Sequence, residues 1–130
     1  MKKLVLFAIA SLIAGASYAA TATALTATVK NDEGETLVSD SFNRTLYVFD
    51  VDTTNASKCT GDCAELWPPY LLQQADVASL KAPLGSIIRP NKKLQLTYNG
   101  KPVYTYALDR KAGDDNGDGI GGVWHYIELK

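Results

Sequence analysis

The chain is 130 residues long, with 13 basic and 14 acidic residues, a formal charge of −1, one histidine and two cysteines. That length is one domain of ordinary size with room for a real core. The charges form neither a basic stripe nor a block of one sign, which argues against nucleic acid and anionic membrane surfaces as partners.

The first segment reads as a targeting signal rather than as fold. Met1-Lys2-Lys3 is a short basic start, Leu4 to Ala16 is apolar apart from Ser11 and Gly15, and Ser17-Tyr18-Ala19 supplies the small-x-small pattern of a cleavage site. The apolar run is shorter than the roughly 18 residues wanted for a membrane span. Residues 1–19 are therefore expected to be a secretory leader removed after Ala19. No cysteine stands beside that site, so no lipid attachment is expected, and the mature chain is expected to be periplasmic or secreted, without a membrane anchor. Without Lys2 and Lys3 it carries 11 basic and 14 acidic residues.

The mature segment, 20–130, reads as a single β domain. "TATALTATVK", Thr21 to Lys30, alternates at period two as a strand does, and Asn31-Asp32-Glu33-Gly34 turns it. "ETLVSD" and "TLYVFDVD" are expected to pair across "SFNR". In the second of these, Tyr47, Phe49 and Val51 share one face, Leu46, Val48 and Asp50 the other, and Asp52 falls where strand gives way to loop. The aromatic face is expected in the core. An Asp at that place accepts hydrogen bonds from amides of the following loop, with a ligand-binding or metal-binding role as the alternative.

Cys59 and Cys63 follow in "KCTGDCAELWPP". In an oxidising compartment the default is a disulfide closing a small loop, worth about 2 kcal/mol on the loop-entropy account. A c-type haem needs Cys-x-x-Cys-His, which the spacing denies; a copper or thiol-exchange site is the competing reading. "AELWPPYLL" allows one helical turn before Pro68-Pro69 stops it. "QQADVASLKA" reads as a short helix or a loop. Strand signals then return in "GSIIRP", "KLQLTY", the hairpin dipeptide Asn99-Gly100, "PVYTYAL" and "GVWHYIEL". The expected fold is all-β, a small antiparallel sandwich or barrel-like domain.

An internal repeat runs through this pattern. Tyr47, Phe49, Asp52 and Trp67 map onto Tyr104, Tyr106, Asp109 and Trp124 at one constant offset of 57 residues. Phe42-Asn43 matches Tyr98-Asn99 if one residue is inserted in the second turn. Each half, about 36–67 and 93–124, thus reads as a hairpin, an Asp, a loop of fourteen residues and a closing Trp.

Chemistry is sparser. Asp114, Asn116 and Asp118 stand at alternate positions before Gly119, as in the first half of a calcium loop, but the twelfth position is His125 instead of glutamate. A variant calcium site using these three with Asp109 is one reading, and a loop folded on its own Asx turns the other. A single histidine without a triad, and no spacing that selects a carboxylate pair, give no catalytic set. No enzymatic activity is expected.

The blocks "TLYVFDVD", "SKCTGDCAELWPP", "LTYNGKPVYTYALD" and "GDDNGDGIGGVWH", in this order, resemble a family of bacterial secreted proteins and lipoproteins with a Tyr-x-aromatic-x-x-Asp motif in tandem, described as a secreted repeat of unknown function. The resemblance implies an exported domain and supplies no activity; through some relatives it points to envelope electron transfer or metal handling. Many relatives carry a lipid-modified N-terminal cysteine, which this chain lacks. The reading is an exported, non-enzymatic binding or structural module of the cell envelope, its partner an envelope protein or a small ligand. A metal-binding or redox accessory protein, with calcium as the candidate cofactor, is the alternative.

Overall fold

The computed structural model describes residues 24–130, so the expected leader, 1–19, lies outside the described residues. The strands are β1 (Thr26–Lys30), β2 (Thr36–Asp40), β3 (Tyr47–Phe49), β4 (Leu71–Leu72), β5 (Leu84–Ile88), β6 (Leu94–Tyr98), β7 (Lys101–Tyr104), β8 (Trp124–Tyr126) and β9 (Glu128–Leu129). Two short helices, α1 (Asp62–Leu66) and α2 (Gln74–Val77), punctuate them. All strand pairing is antiparallel, and the chain is all-β as its alternation predicts. Among the described residues no helix is long and apolar enough to cross a membrane.

The duplication is structural and extends beyond the segments that define it in sequence. In the β1–β2 hairpin Thr26 faces Asp40 and Lys30 faces Thr36; in β5–β6 Leu84 faces Tyr98 and Ile88 faces Leu94. Every one of those positions is shifted by 58 residues, whereas the Tyr, Asp and Trp positions are shifted by 57. The second copy has therefore lost a residue in its turn: Ser39 bridges Thr45 in the first copy, and Thr97 pairs with Pro102 in the second. This corrects the expected match of Phe42-Asn43 with Tyr98-Asn99, because the register sets Tyr98 against Asp40. A two-residue Asn-Gly turn is the tighter solution, and Asn99 and Gly100 both take the positive φ it requires, 51° and 81°.

The two copies are interlocked. Strand β4 closes the first copy but pairs with β6 of the second, Leu71 facing Gln95 and Leu72 facing Leu94. In return β9 of the second copy pairs with β2 of the first, Thr36 facing Leu129 and Leu37 facing Glu128. Between them Pro69 bridges Tyr104, and Tyr126 pairs with Tyr47. The expected β2–β3 hairpin is correspondingly short. Beyond the Ser39–Thr45 bridge β3 leaves β2 and inserts between β7 and β8.

The β3–β7 pair lies at the centre of this exchange, with Tyr47 directly opposite Tyr104 and Val48 opposite Val103. Side chains alternate across a strand, so this ribbon serves two cores. One face sends Leu46, Val48 and Val103 into an aliphatic core with Val38, Leu72 and Leu96. The other sends Tyr47, Phe49, Tyr104 and Tyr106 into an aromatic core with Trp67, Trp124 and Cys59. Val51 does not join the aromatic face as its alternation predicts: the strand stops at Phe49, the Asp52 amide bonds back to the Phe49 carbonyl, and the turn leaves Val51 exposed.

Since each copy's last strand is completed only by the other copy, neither is expected to fold alone. A chain ending after Leu72 should show no near-ultraviolet circular dichroism as a monomer, and mixing it with the remaining segment should restore the signal. A folded monomeric half, with dispersed amide resonances, would sink the interlocked description.

Candidate functional site

The repeated motif assembles at the aromatic core. The hydroxyl of Tyr47 donates to Oδ2 of Asp109 at 2.7 Å, and that of Tyr104 donates to Oδ2 of Asp52 at 2.6 Å. Each tyrosine therefore bonds the aspartate of the other copy. The remaining oxygen of each carboxylate faces its own loop: Asp52 Oδ1 accepts the Lys58 amide, and Asp109 Oδ1 accepts both the backbone and the side-chain amide of Asn116. One carboxylate thus ties its own loop to the other copy's strand.

The rings form a column between these bonds. Phe49 stacks on Trp124 at 4.2 Å, Trp124 on Trp67 at 3.8 Å and 2°, and Trp67 on Tyr106 at 4.3 Å. Tyr47 meets Trp67 edge-on at 5.4 Å, as Tyr104 meets Trp124 at 5.2 Å. Edge-to-face and offset contacts between aromatics contribute about 0.5–1.5 kcal/mol each beyond the area they bury. Phe49 faces Trp124 across the β3–β8 ladder, so the stacking follows from strand register. Gly117 completes the packing: a Cβ there would stand 2.6 Å from Trp67 and 3.0 Å from Tyr47, and its amide donates to the Tyr47 hydroxyl oxygen.

The two copies satisfy their polar groups differently. Tyr104 has one hydrogen, given to Asp52, so the Ser57 hydroxyl 2.6 Å away must donate to it. Ser57 in turn accepts from Nη1 of Arg89, and the hydrogen bonds run in one direction from guanidinium to carboxylate. Arg89 is 4% exposed and also donates to Gln95 and to the Cys59 carbonyl. Sequence reasoning missed Arg89, Ser57 and Gln95. The signal for Gln95 was its place in the alternation of "KLQLTY", where it shares a face with Thr97, both buried. At the matching position of the first copy, 58 residues earlier, Arg89 is replaced by Asn31, whose amide donates to Asp115.

Burial, and then the bond to Asp109, pushes the Tyr47 phenol far above its ordinary pKa. Burial followed by the bond to Asp52 pushes Tyr104 up to about 12. Burial also raises the carboxyls of Asp52 and Asp109, against the lowering effect of the tyrosine hydroxyls and loop amides. These phenols stay protonated at neutral pH and act as donors.

Cys59 and Cys63 are joined in a disulfide, and both sit against the aromatic core. Trp67 is held partly by its amide, which donates to the Cys63 carbonyl at the end of α1. Asp114, Asn116 and Asp118 do not converge on a common centre: Asp114 caps the amides of Arg110 and Lys111, Asn116 binds Asp109, and Asp118 accepts the amide of Tyr126. Among the described residues no group of three or more His, Cys, Asp or Glu side chains is placed to hold a metal ion. His125 is paired at the surface with Asp50, Nε2 to Oδ2 at 2.7 Å.

A family model described as a secreted repeat of unknown function matches the chain twice, at residues 27–70 and 85–128. Each match contains one Tyr, one Asp and one Trp of the crossed arrangement. No curated protein and no solved structure matches the chain.

Tyr47→Phe and Tyr104→Phe each leave a buried carboxylate oxygen without its donor and should lower stability in denaturant unfolding by about 1–3 kcal/mol. Gly117→Ala forces a methyl into Trp67 and should cost a similar amount, about 1–3 kcal/mol. Losses of only a few tenths for all three would show that the crossed bonds and the ring column are incidental to stability.

The two aspartates also carry a pH signature. A carboxyl whose pKa is raised on folding contributes stability that is complete below the unfolded value, 3.8 for these groups, and lost as pH rises through the folded value. The melting temperature of the parent relative to Asp52→Asn and Asp109→Asn should therefore improve from about pH 7 to about pH 4. A difference that shrinks over that interval would mean that the bonds from tyrosine outweigh burial.

Proposed function

The chain belongs to the family of secreted repeats of unknown function, and we propose that it is an exported, non-enzymatic binding or structural module of the bacterial cell envelope, placed in the periplasm by its leader. One observation carries this reading: the motif that recurs in both copies spends its hydroxyls and carboxylates on each other. A reactive site needs a nucleophile or base free to meet substrate, whereas these groups are occupied, buried and shifted away from neutral titration. The motif is then the device that closes the scaffold, and binding belongs to the outer surface.

A redox-accessory reading has its own supporting observation, the column of four rings flanked by phenols that are each bonded to a carboxylate able to take the proton. Metal and thiol analysis separates the two readings. Protein exported with its own leader and purified under mild conditions should contain no stoichiometric metal by mass spectrometry and no free thiol. Reduction should lower the melting temperature without abolishing the fold, since so short a loop contributes only about 2 kcal/mol. Stoichiometric metal, or thiols found reduced in protein taken from the periplasm, would favour the redox or metal reading instead.

A further inference from the structure

The copies are equivalent inside and differ outside, and the largest difference lies at one end of the molecule. Asp40 is buried and organises the β2–β3 turn: its Oδ1 accepts the amides of Phe42 and Arg44, its Oδ2 accepts Arg44 Nε at 2.8 Å, and Asn43 takes a φ of 64°. The turn is thereby fixed with Phe42 76% exposed and the Arg44 guanidinium 5.5 Å from its ring. Phe42 and Arg44 form the ridge between two hollows of about 250 and 490 Å³. Pro69 and Leu71 line the first, and Arg110 and Lys111 line the second.

The charge of this saddle is positive in a chain that is negative overall. Two acids line it, but Asp40 is engaged by Arg44 and the turn amides, and Asp109 by Tyr47 and Asn116. Arg110 and Lys111 are exposed, and the structure gives their side chains no carboxylate partner among the described residues. The register that relates the copies puts Thr53 and Thr54 where this end has Arg110 and Lys111, and Glu128 where it has Leu71. An aromatic ring held rigidly in water beside three cations, and absent from the equivalent end, is arranged as a recognition surface.

We propose that this saddle docks an acidic peptide segment of a partner protein, one apolar side chain seated against Phe42 and flanking carboxylates on Arg44, Arg110 and Lys111. Three cations around an apolar ring suit alternating acids and hydrophobes; a polyphosphate backbone would call for a longer basic track. The inference rests on the binding-module reading and gives it a binding face.

Mature protein labelled with nitrogen-15, titrated with a synthetic glutamate-rich peptide carrying a central leucine, should shift the amides of Phe42, Arg44, Arg110 and Lys111, and the affinity should fall with added salt. Phe42→Ala, and separately Arg110→Ser with Lys111→Ser, should each weaken binding about ten-fold, while Thr53→Ala at the other end should not. All of these positions are exposed, so the variants should retain the parent's spectrum; were one misfolded, the other would still decide. No shifts at millimolar peptide, shifts centred elsewhere, equal binding of a lysine-rich peptide, or tighter binding of a single-stranded oligonucleotide would each overturn the proposal. If that happens with metal-free, oxidised protein, the docking surface fails while the module reading stands; if the protein carries metal, the module reading fails first.

Discussion

Two hydrogen bonds, Tyr47 to Asp109 and Tyr104 to Asp52, determine how the rest of the molecule is arranged. Each runs from the strand of one copy to the loop anchor of the other, so the motif is complete only when both copies are present. The carboxylates are desolvated, and a buried carboxylate is tolerated when its oxygens are met by donors. The tyrosine meets one oxygen and a loop amide the other. A change at either end exposes the same cost, and the geometry of the long loops is thereby coupled to the register of β3 against β7.

That register is what lets one short ribbon organise two cores. Tyr47 opposite Tyr104 puts the phenols side by side near the axis relating the copies, and the next residues, Val48 and Val103, point to the opposite side. A slip of one residue would turn the tyrosines into the aliphatic core and the valines toward the loops. The crossing of β4 and β9 opposes such a slip, because each is paired to a strand of the other copy and fixes where β3 and β7 can lie. The stacked tryptophans follow from the same exchange, since each is placed by the segment that crosses over.

Much of this was legible in sequence, and the limits have physical causes. Period two identified the strands, the constant offset identified the copies, and the position of Asp52 and Asp109 at the end of an aromatic strand singled out the residues that meet the loops. An offset does not say whether Tyr47 meets Asp52 or Asp109, because identical motifs satisfy either pairing equally well on paper; only the three-dimensional exchange distinguishes them. The turn was misaligned for a related reason. Phe42-Asn43 and Tyr98-Asn99 look alike as residue types, but Tyr98 is a strand residue and Phe42 a turn residue. The acidic loop resembles a calcium loop in composition, yet its carboxylates and amide are oriented by backbone donors that spacing cannot reveal. Arg89 escaped notice because a charged residue after an apolar strand is ordinarily solvent-facing.

The differences between the copies are as informative as the likeness. Both must hold a loop of fourteen residues over the same rings, and they do it by different means. The first loop is closed by the Cys59–Cys63 disulfide and tied by Arg89 to the Cys59 carbonyl; the second is held by Asx-type bonds from Asp114 and Asp118 and packed through Gly117. The second depends on backbone permitted by glycine. Gly113 takes a φ of 87°, and a side chain there would collide with the Lys30 carbonyl. Divergence of this kind can accumulate only where the shared requirement, a tied loop above a fixed aromatic column, is still met. Residues that serve this requirement stay matched across the offset, and residues free of it differ. Phe42 and its flanking cations belong to the second class. Nothing in the core requires a phenylalanine in water at that turn, while the equivalent turn closes with Asn99-Gly100 and no exposed ring. Its position is explained by the scaffold, but its side chain is not, and a side chain that folding does not require is accounted for by what it contacts outside the molecule.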